Sequence, residues 1–584
     1  MKEKEYKVEL IGGIIMKKNI IFLFILAAFT ASLGAQTVHD PNNQLYKDID
    51  RWVVQGYVND FLPMIRPYPI KLIEKILDEV IEKGNNAEQE TAERYRSILI
   101  TNSKILNPGI SASVQGNEDD YHIIISPYVE GLLSVKNLFS VSFNFTVNAL
   151  SQGLDGEMYN IPGKTSQFPD LVNDTANIGS YKVLNNWTNL VAIGSDSLYF
   201  QAGLSRTSFG PFFDNGIIVG PQAPRAGHFS LVYWDPLWSF EVLFQTLIAT
   251  DDYGLGRFAG KYSVIHALNF RPFKNLELGA VQTIIYGERF DPLYLVPFSF
   301  LFQTQTANSG YLDNALIGLN FRWRAINSFL VKGQVYIDDF SFNGLLQGKP
   351  DFKASGIIGV SWSPLSGILS KLDFDYTAVM PYMYTHWHEP WEGRYNGLSG
   401  EESRSRPNGI NPEFPARRIP NFTNYTHWGR NLGPDLEPNS DRFSLRSNWK
   451  IIRNLELNFS AYLTRHGNAS YGKDRLAGPW NGESDEYHDG SIHDSGCSDP
   501  WLGEDIHPIS DAQHNPYKEM NFLTQSIIDT RLGGIIGLAW SIPTPIGTFK
   551  LIADYCVQYG WDRDLISKNN GINHYWSIGG MWNL

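Results

Sequence analysis

The sequence predicts a mainly β protein: a transmembrane antiparallel β-barrel of about 18 strands, preceded by a small N-terminal α-helical module. Three observations predict it. Charge is scarce and aromatics are abundant: of 584 residues, 19% are charged and 14% are Phe, Trp or Tyr, whereas a soluble domain carries roughly 25% charged residues. Stretches of about ten residues alternate apolar with polar side chains, the length and period of a strand with one face to lipid and one to a lumen. Short and long connections alternate between those stretches, as turns and loops do at the two ends of a membrane barrel.

The first segment reads as an export signal. Lys17, Lys18 and Asn19 precede an apolar run from Ile20 to Phe29, followed by small residues through Ser32, Gly34 and Ala35. Residues 1–35 are therefore expected to be a signal peptide with an upstream extension, Met16 being the expected start. The run is shorter than the roughly 20 apolar residues a helical span needs, and no later window supplies them. With no Cys after the cleavage zone, a lipoprotein anchor is not expected. Export without helical spans leaves a soluble protein or an outer-membrane barrel.

Residues 36–106 are expected to form a periplasmic helical module. Leu45, Ile49, Trp52 and Val53 share one helical face, and so do Leu72, Ile73, Ile76, Leu77 and Val80. Pro69 suits a helix start and Gly84 a stop. A third, more polar helix is predicted over 87–99.

From 107 to 584 the period becomes two. Phe139, Val141, Phe143, Phe145 and Val147 alternate with Ser140, Ser142, Asn144 and Thr146. Leu455, Leu457 and Phe459 alternate with Glu456, Asn458 and Ser460, and the same pattern marks 198–205, 329–338, 372–378, 443–451 and 551–561. Of 18 or 19 candidate strands, the segment Phe298 to Phe302 is the weakest, and an even number favours 18. Tight turns are expected at Asp235-Pro236, Pro272-Phe273, Ile326-Asn327, Pro364-Leu365 and Pro543-Thr544-Pro545, and long outer loops at 151–186, 382–440 and 467–529. In the last strand Trp576, Ile578, Gly580, Trp582 and Leu584 share one face, resembling the C-terminal signal read by the outer-membrane assembly machinery.

The polar faces would place Arg322, Arg324, Lys332, Arg442, Arg446 and Lys450 in the lumen with Asp338, Asp373, Asp375, Glu456 and Asp554. Charges of both signs point first to structural pairing, and second to a surface for an anionic or polyhydroxyl ligand. The net charge of -13 argues against nucleic acid. His386, His388 and Glu389 could ligate a metal, but their spacing matches no established motif. The acidic stretch 480–518 lacks the spacing of a calcium loop, so no metal or cofactor is expected. Trp480, Tyr487 and Trp501 beside its carboxylates are suited to stacking on sugar rings. No nucleophile elbow, phosphate loop or dinucleotide fingerprint appears, and no enzyme is expected. Of the two cysteines, Cys556 alternates onto the inner face and Cys497 lies in a long loop, so they are not expected to pair.

Three segments resemble the Wzi family of capsule assembly proteins. Residues 45–77, with Trp52, Gly56 and Arg66-Pro67, resemble the family's opening helices and the Arg-Pro that joins them. Gly203-Leu-Ser-Arg206 with Phe209-Gly210-Pro211 and Ala223-Pro224-Arg225 resembles a strand and loop with Trp-Gly-Pro-Gly in the family. Tyr425-Thr-His427-Trp428-Gly-Arg430-Asn-Leu432-Gly433, followed by Pro438-Asn-Ser-Asp441, resembles a late loop entering a strand. Phe209, Phe212 and Pro434 depart from the family's Trp, Gly and His. The resemblance implies an outer-membrane barrel that attaches capsular polysaccharide in a lectin-like manner, without catalysis. Candidate polysaccharide contacts are Arg206, His427, Trp428, Arg430, Trp480, Tyr487 and Trp501, with outer-membrane lipid as the other partner. The alternative is a porin or solute channel, suggested by the charged inner face.

Overall fold

The computed structural model describes residues 40–101, 106–135, 139–151, 176–179, 181–249, 260–287, 289–308, 313–338, 353–381, 383–384, 423–467, 522–524, 527–544 and 547–583. The expected signal peptide lies outside these residues. Helices α1 (Gln44–Gln55), α2 (Ile70–Lys83) and α3 (Asn86–Arg96) come first. The Asn43 side chain caps α1 by accepting from the Leu45 N–H, and Gly56 ends it with φ 83°, a conformation glycine adopts without strain. Pro69 and Gly84 bound α2. After α3, residues 97–101 form one wider π turn.

The wall begins with β1 (Leu106–Asn117), β2 (Tyr121–Val135), β3 (Phe139–Ser151), β4 (Tyr181–Gly194), β5 (Leu198–Ser205) and β6 (Ala226–Trp234). It continues as β7 (Trp238–Ile248), β8 (Gly260–Phe273), β9 (Leu276–Gly287), β10 (Asn314–Ile326), β11 (Phe329–Asp338) and β12 (Lys353–Trp362). It ends with β13 (Leu369–Val379), β14 (Ser440–Ile452), β15 (Leu455–Gly467), β16 (Ile528–Thr544), β17 (Gly547–Trp561) and β18 (Gly571–Asn583). Each is antiparallel to its neighbour, and β18 closes on β1 from Gly109↔Asn583 to Asn117↔Tyr575. Closure leaves no edge, which hydrocarbon would not tolerate. Among the described residues no helix is long and apolar enough to cross a membrane.

The ring has 18 strands; the extra pairing strand Ala176–Ile178 only extends β4. The weak candidate at 298–302 is not a strand. It leads into helix α4 (Leu301–Asn308): Ser299 is its one polar alternate, and Leu301 ends the alternation. Several expected boundaries shift: α3 ends at Arg96, short of 99; β4 starts at Tyr181, inside the expected loop 151–186; β8 runs through Pro272 to Phe273, so that turn is Lys274-Asn275; and β16 runs through Pro543 to Thr544.

The alternation faces as its chemistry requires. Ser140, Ser142 and Asn148 of β3 are buried inward, whereas outward Leu319 and Ile578 remain 62% and 55% exposed. Such an apolar exterior is stable only against lipid.

The helices lie within the ring at the end carrying the short turns. One apolar core joins Trp52, Leu72 and Ile76 to Trp234, Leu330 and Ile357 of the wall. The Trp234 indole donates to Phe61 O (2.8 Å) and Ser328 N to Val54 O (2.9 Å). Lys75 pairs with Asp196 in the β4–β5 turn (3.2 Å). Gly56 sits so close to the β10–β11 turn that a Cβ would meet Asn327 Oδ1 at 2.6 Å.

Glu241, the one charged residue of β7, accepts from the Met64 N–H (2.9 Å) and the Ile65 N–H (3.0 Å). Glu241→Ala would leave two buried donors without partners, a cost of about 2–4 kcal/mol. Amide exchange at Met64, Ile65 and through α1 is expected to accelerate while the barrel keeps its heat-modifiable gel shift. Unchanged exchange would contradict this docking.

Candidate functional site: a charged cavity in a filled lumen

Wall charges meet backbone before they meet solvent. Glu277 bridges Arg271 (2.7 Å) and Arg322 (2.6 Å), all three buried. Arg322 also donates to Leu62 O (2.6 Å), and Arg324 to Val53 O, Val58 O and Asn59 O (3.0, 2.9 and 2.7 Å). A guanidinium's fixed fork suits several carbonyls at once. Lys353 pairs with Asp338 (3.3 Å), Lys371 with Asp373 (3.0 Å), Arg446 with Asp375 (2.5 Å) and Lys450 with Asp48 (3.7 Å). The expected pairing of lumen charges is what the structure shows for these groups.

Two connections fold inward above the helices. In segment 206–225, Phe209 pairs with Ile65, the Gly210 N–H donates to Met64 O (3.1 Å), and Lys332 donates to Pro211 O (3.1 Å). The Asn215 amide donates to Asp375 (3.0 Å) and Thr377 (2.9 Å) and accepts from Arg442. Segment 423–439 lies on the first: the Gly220 N–H donates to Leu432 O (2.8 Å), and a Cβ on Gly220 would meet Gly433 O at 2.4 Å. Tyr425 packs with Tyr336 and Tyr384 at ring separations of 5.9 and 5.5 Å. Gly210, at φ 120°, and Gly433, where a Cβ would meet Ile217 O at 2.8 Å, both lie in the family-like motifs and have a backbone or steric reason to be glycine.

Between α1, these segments and β13–β16 remains a cavity of about 320 Å³. Its cations are Lys47, Arg51, Lys371, Arg442, Arg446 and Lys450, and its acids Asp48, Asp214, Asp373, Asp435 and Glu456, with Tyr462 and Trp449 beside them. Asp214 projects into it. Although its place deep in the barrel opposes ionisation, Arg446, Lys371, Lys47 and Lys332 hold its carboxyl well below the usual range. On the helix side Arg51 bridges Asp48 and Glu88, and the Trp52 indole donates to Glu88 (2.7 Å). Mixed charge with nearby aromatics suits a polyhydroxyl or acidic ligand. Among the described residues no three His, Cys, Asp or Glu gather into a metal-binding group; His386, His388 and Glu389 lie outside them.

The expected contacts separate. Arg206 begins the first inward segment and is half-buried, and Arg430 is exposed on the second. His427 is buried: its Nδ1 accepts from the Ile248 N–H (2.9 Å), which leaves Nε2 to donate to Arg225 O (3.0 Å). It pins the segment to the rim of β7, with half-buried Trp428 beside it at φ 53°. Trp480, Tyr487 and Trp501 lie outside the described residues, as does Cys497. Cys556 is buried on the inner wall. Sequence reasoning passed over Glu241, Glu277 and Asp214. The first two were legible as the one charged residue of each strand; nothing local marks Asp214.

Burial lowers the His427 imidazole to about 4 from an ordinary value near 6.5. The docked segment thus binds fewer protons than the undocked one between those values. Docking is complete above about pH 6.5 and weakens, by at most roughly 3 kcal/mol, as pH falls toward 4. The protection factor of the Ile248 amide is expected to fall over that window and to lose its pH dependence in His427→Gln. A flat profile in the wild type would rule out the pin.

No protein-family model matches the chain, and no curated protein matches its sequence. Among solved structures it is similar to Wzi of Escherichia coli, an outer-membrane protein involved in group 1 capsule assembly and a carbohydrate-binding β-barrel. That likeness covers 95% of this chain and 99% of Wzi at 12% identity, with a TM-score of 0.53. OpdK of Pseudomonas aeruginosa, solved with vanillate, aligns over 82% of this chain and 98% of its own at 6% identity (TM-score 0.40). OprD of the same species aligns over 82% and 93% at 8% identity (TM-score 0.37). From helices to closing strand, this chain has the fold of the Wzi outer-membrane barrel.

Proposed function

We propose that the chain is a non-enzymatic outer-membrane protein that attaches or organises a surface polysaccharide in a lectin-like manner. The observation that carries this reading is a lumen occupied by the helical module and two inward segments, held to the wall by charged hydrogen bonds at Ile65, Asn59, Asn215 and Thr426. A barrel so filled is built to hold a surface rather than to pass solute, and the Wzi likeness supports the same reading. Export by the segment 1–35 and delivery by the assembly machinery through β18 complete it. Arg206, Arg430 and Trp428 on the inward segments, with Trp480, Tyr487 and Trp501 in the acidic loop, are the proposed contacts, and His427 positions them. The channel reading rests on one feature, the charged cavity beside β13–β16.

Deleting the gene is expected to move polysaccharide from the cell surface to the medium, with total synthesis unchanged. Complementation with Arg430→Ala or Trp480→Ala would restore attachment only partly, since one lost sugar stack or ion pair costs roughly 1 kcal/mol, about fivefold in affinity. Cell-attached polymer at the parental level in the deletion strain would refute the proposal.

A further inference from the structure

The connection between β9 and β10 lies against the outside of the wall. Glu241 and Glu277 show which way β7 and β9 face inward, so Phe240, Phe244, Ile284 and Tyr286 point outward. All four are nevertheless buried, because residues 290–301 cover them. Phe298 stacks on Phe240 (4.0 Å between rings), Phe290 stands edge-on to Phe244 (6.0 Å) and Tyr294 packs on Tyr286 (4.8 Å). At the rim, Arg289 pairs with Asp313, which also accepts from the Tyr294 hydroxyl (2.6 Å). Midway, the outward Gln282 amide donates to Ser299 O (2.6 Å) and accepts from the Leu301 N–H (2.9 Å). Phe298 turns the chain back at φ 62°, a conformation a bulky residue holds only where its surroundings fix it.

This finger faces hydrocarbon. β6 and β7 have 9 and 11 residues, no more than the roughly 9–11 a tilted crossing strand requires, so an element beside the middle of β7 lies at membrane depth. No charged residue occurs from 292 to 312. Leu293, Val296, Phe298, Phe300 and Phe302 are exposed, continuous with outward Leu268, Leu278 and Leu319. Its hydroxyls fold back on its own carbonyls: Thr304 donates to Phe300 O (3.1 Å) and Thr306 to Phe302 O (2.9 Å), as backbone without water requires. Among its described side chains only Gln303 and Thr306 are both exposed and polar, and half-buried Asp291, near the rim, accepts from the Leu293 N–H (3.0 Å). We propose that Phe290–Asn308 is a lipid-immersed finger that seals the polar groups of the outer wall and packs its exposed row against membrane acyl chains.

Nitroxide labels test it in full-length protein with Cys497 and Cys556 replaced by Ser, reconstituted in phosphatidylcholine vesicles. Labels at Leu293→Cys and Phe302→Cys, both exposed and so removing little packing, are compared with Leu319→Cys on the lipid face and Ser366→Cys in a short turn. Folding is checked by gel shift, and either finger position serves if the other does not assemble. The expected result is an oxygen-to-nickel collision ratio matching Leu319→Cys and severalfold above Ser366→Cys. A ratio at the Ser366→Cys level would place the finger in water. Shielding from both reagents, with spin coupling between copies, would make it a protein interface. Either overturns the proposal.

Discussion

The carbonyls that Arg322 and Arg324 grip at the end of α1 and in the turn after it are where this barrel becomes one object with its helices. A wall with lipid outside sends every polar side chain inward, and eighteen strands enclose more space than those side chains fill. Inward charges must then find partners in something placed inside. Here several charges pair with one another along the wall, while Glu241, Arg322, Arg324 and Lys332 meet backbone groups of the module and of segment 206–225, so removing the filling would strand several charges at once. The filled lumen is therefore a consequence of the electrostatics of the wall, and the wall's charge pattern a consequence of the filling.

That dependence orders the rest. The helices dock first-order apolar surface, Trp52, Leu72 and Ile76, against the inner wall, and present Met64 and Ile65 to segment 206–225. Segment 206–225 in turn offers Gly220 to segment 423–439, which His427 fastens at the rim. The cavity is what remains where α1 stops short of β13–β16, and charges from both sides line it. Outside, the finger applies the same rule in reverse: Gln282 points toward lipid and is satisfied by backbone brought to it.

Much of the barrel was legible in the sequence because lipid imposes a period of two with no exceptions to average away. The strand at 329–338 and the one at 198–205 have the predicted limits, and the strand number follows. The helices were legible from their stripes. The inward course of 206–225 and 423–439 was not, since Phe209, Asn215 and His427 find their partners 140 or more positions away, and glycines that permit close approach look like any loop glycine. The finger failed as a strand for a readable reason, an alternation that stops after Ser299, but its position outside the wall depends on Phe240 and Gln282. Asp214 carries no local signal at all; it becomes a site residue only because four cations surround it.

The measurement that bears most directly on this account is conductance across a planar bilayer. The intact protein is expected to stay closed, while the Arg322→Ala/Arg324→Ala double variant, folded by gel shift, opens in steps as the helices leave the lumen. A large, steady open conductance from the intact protein would contradict a lumen held shut by its own wall charges, and with it the reading of the barrel as a holder of surface polymer.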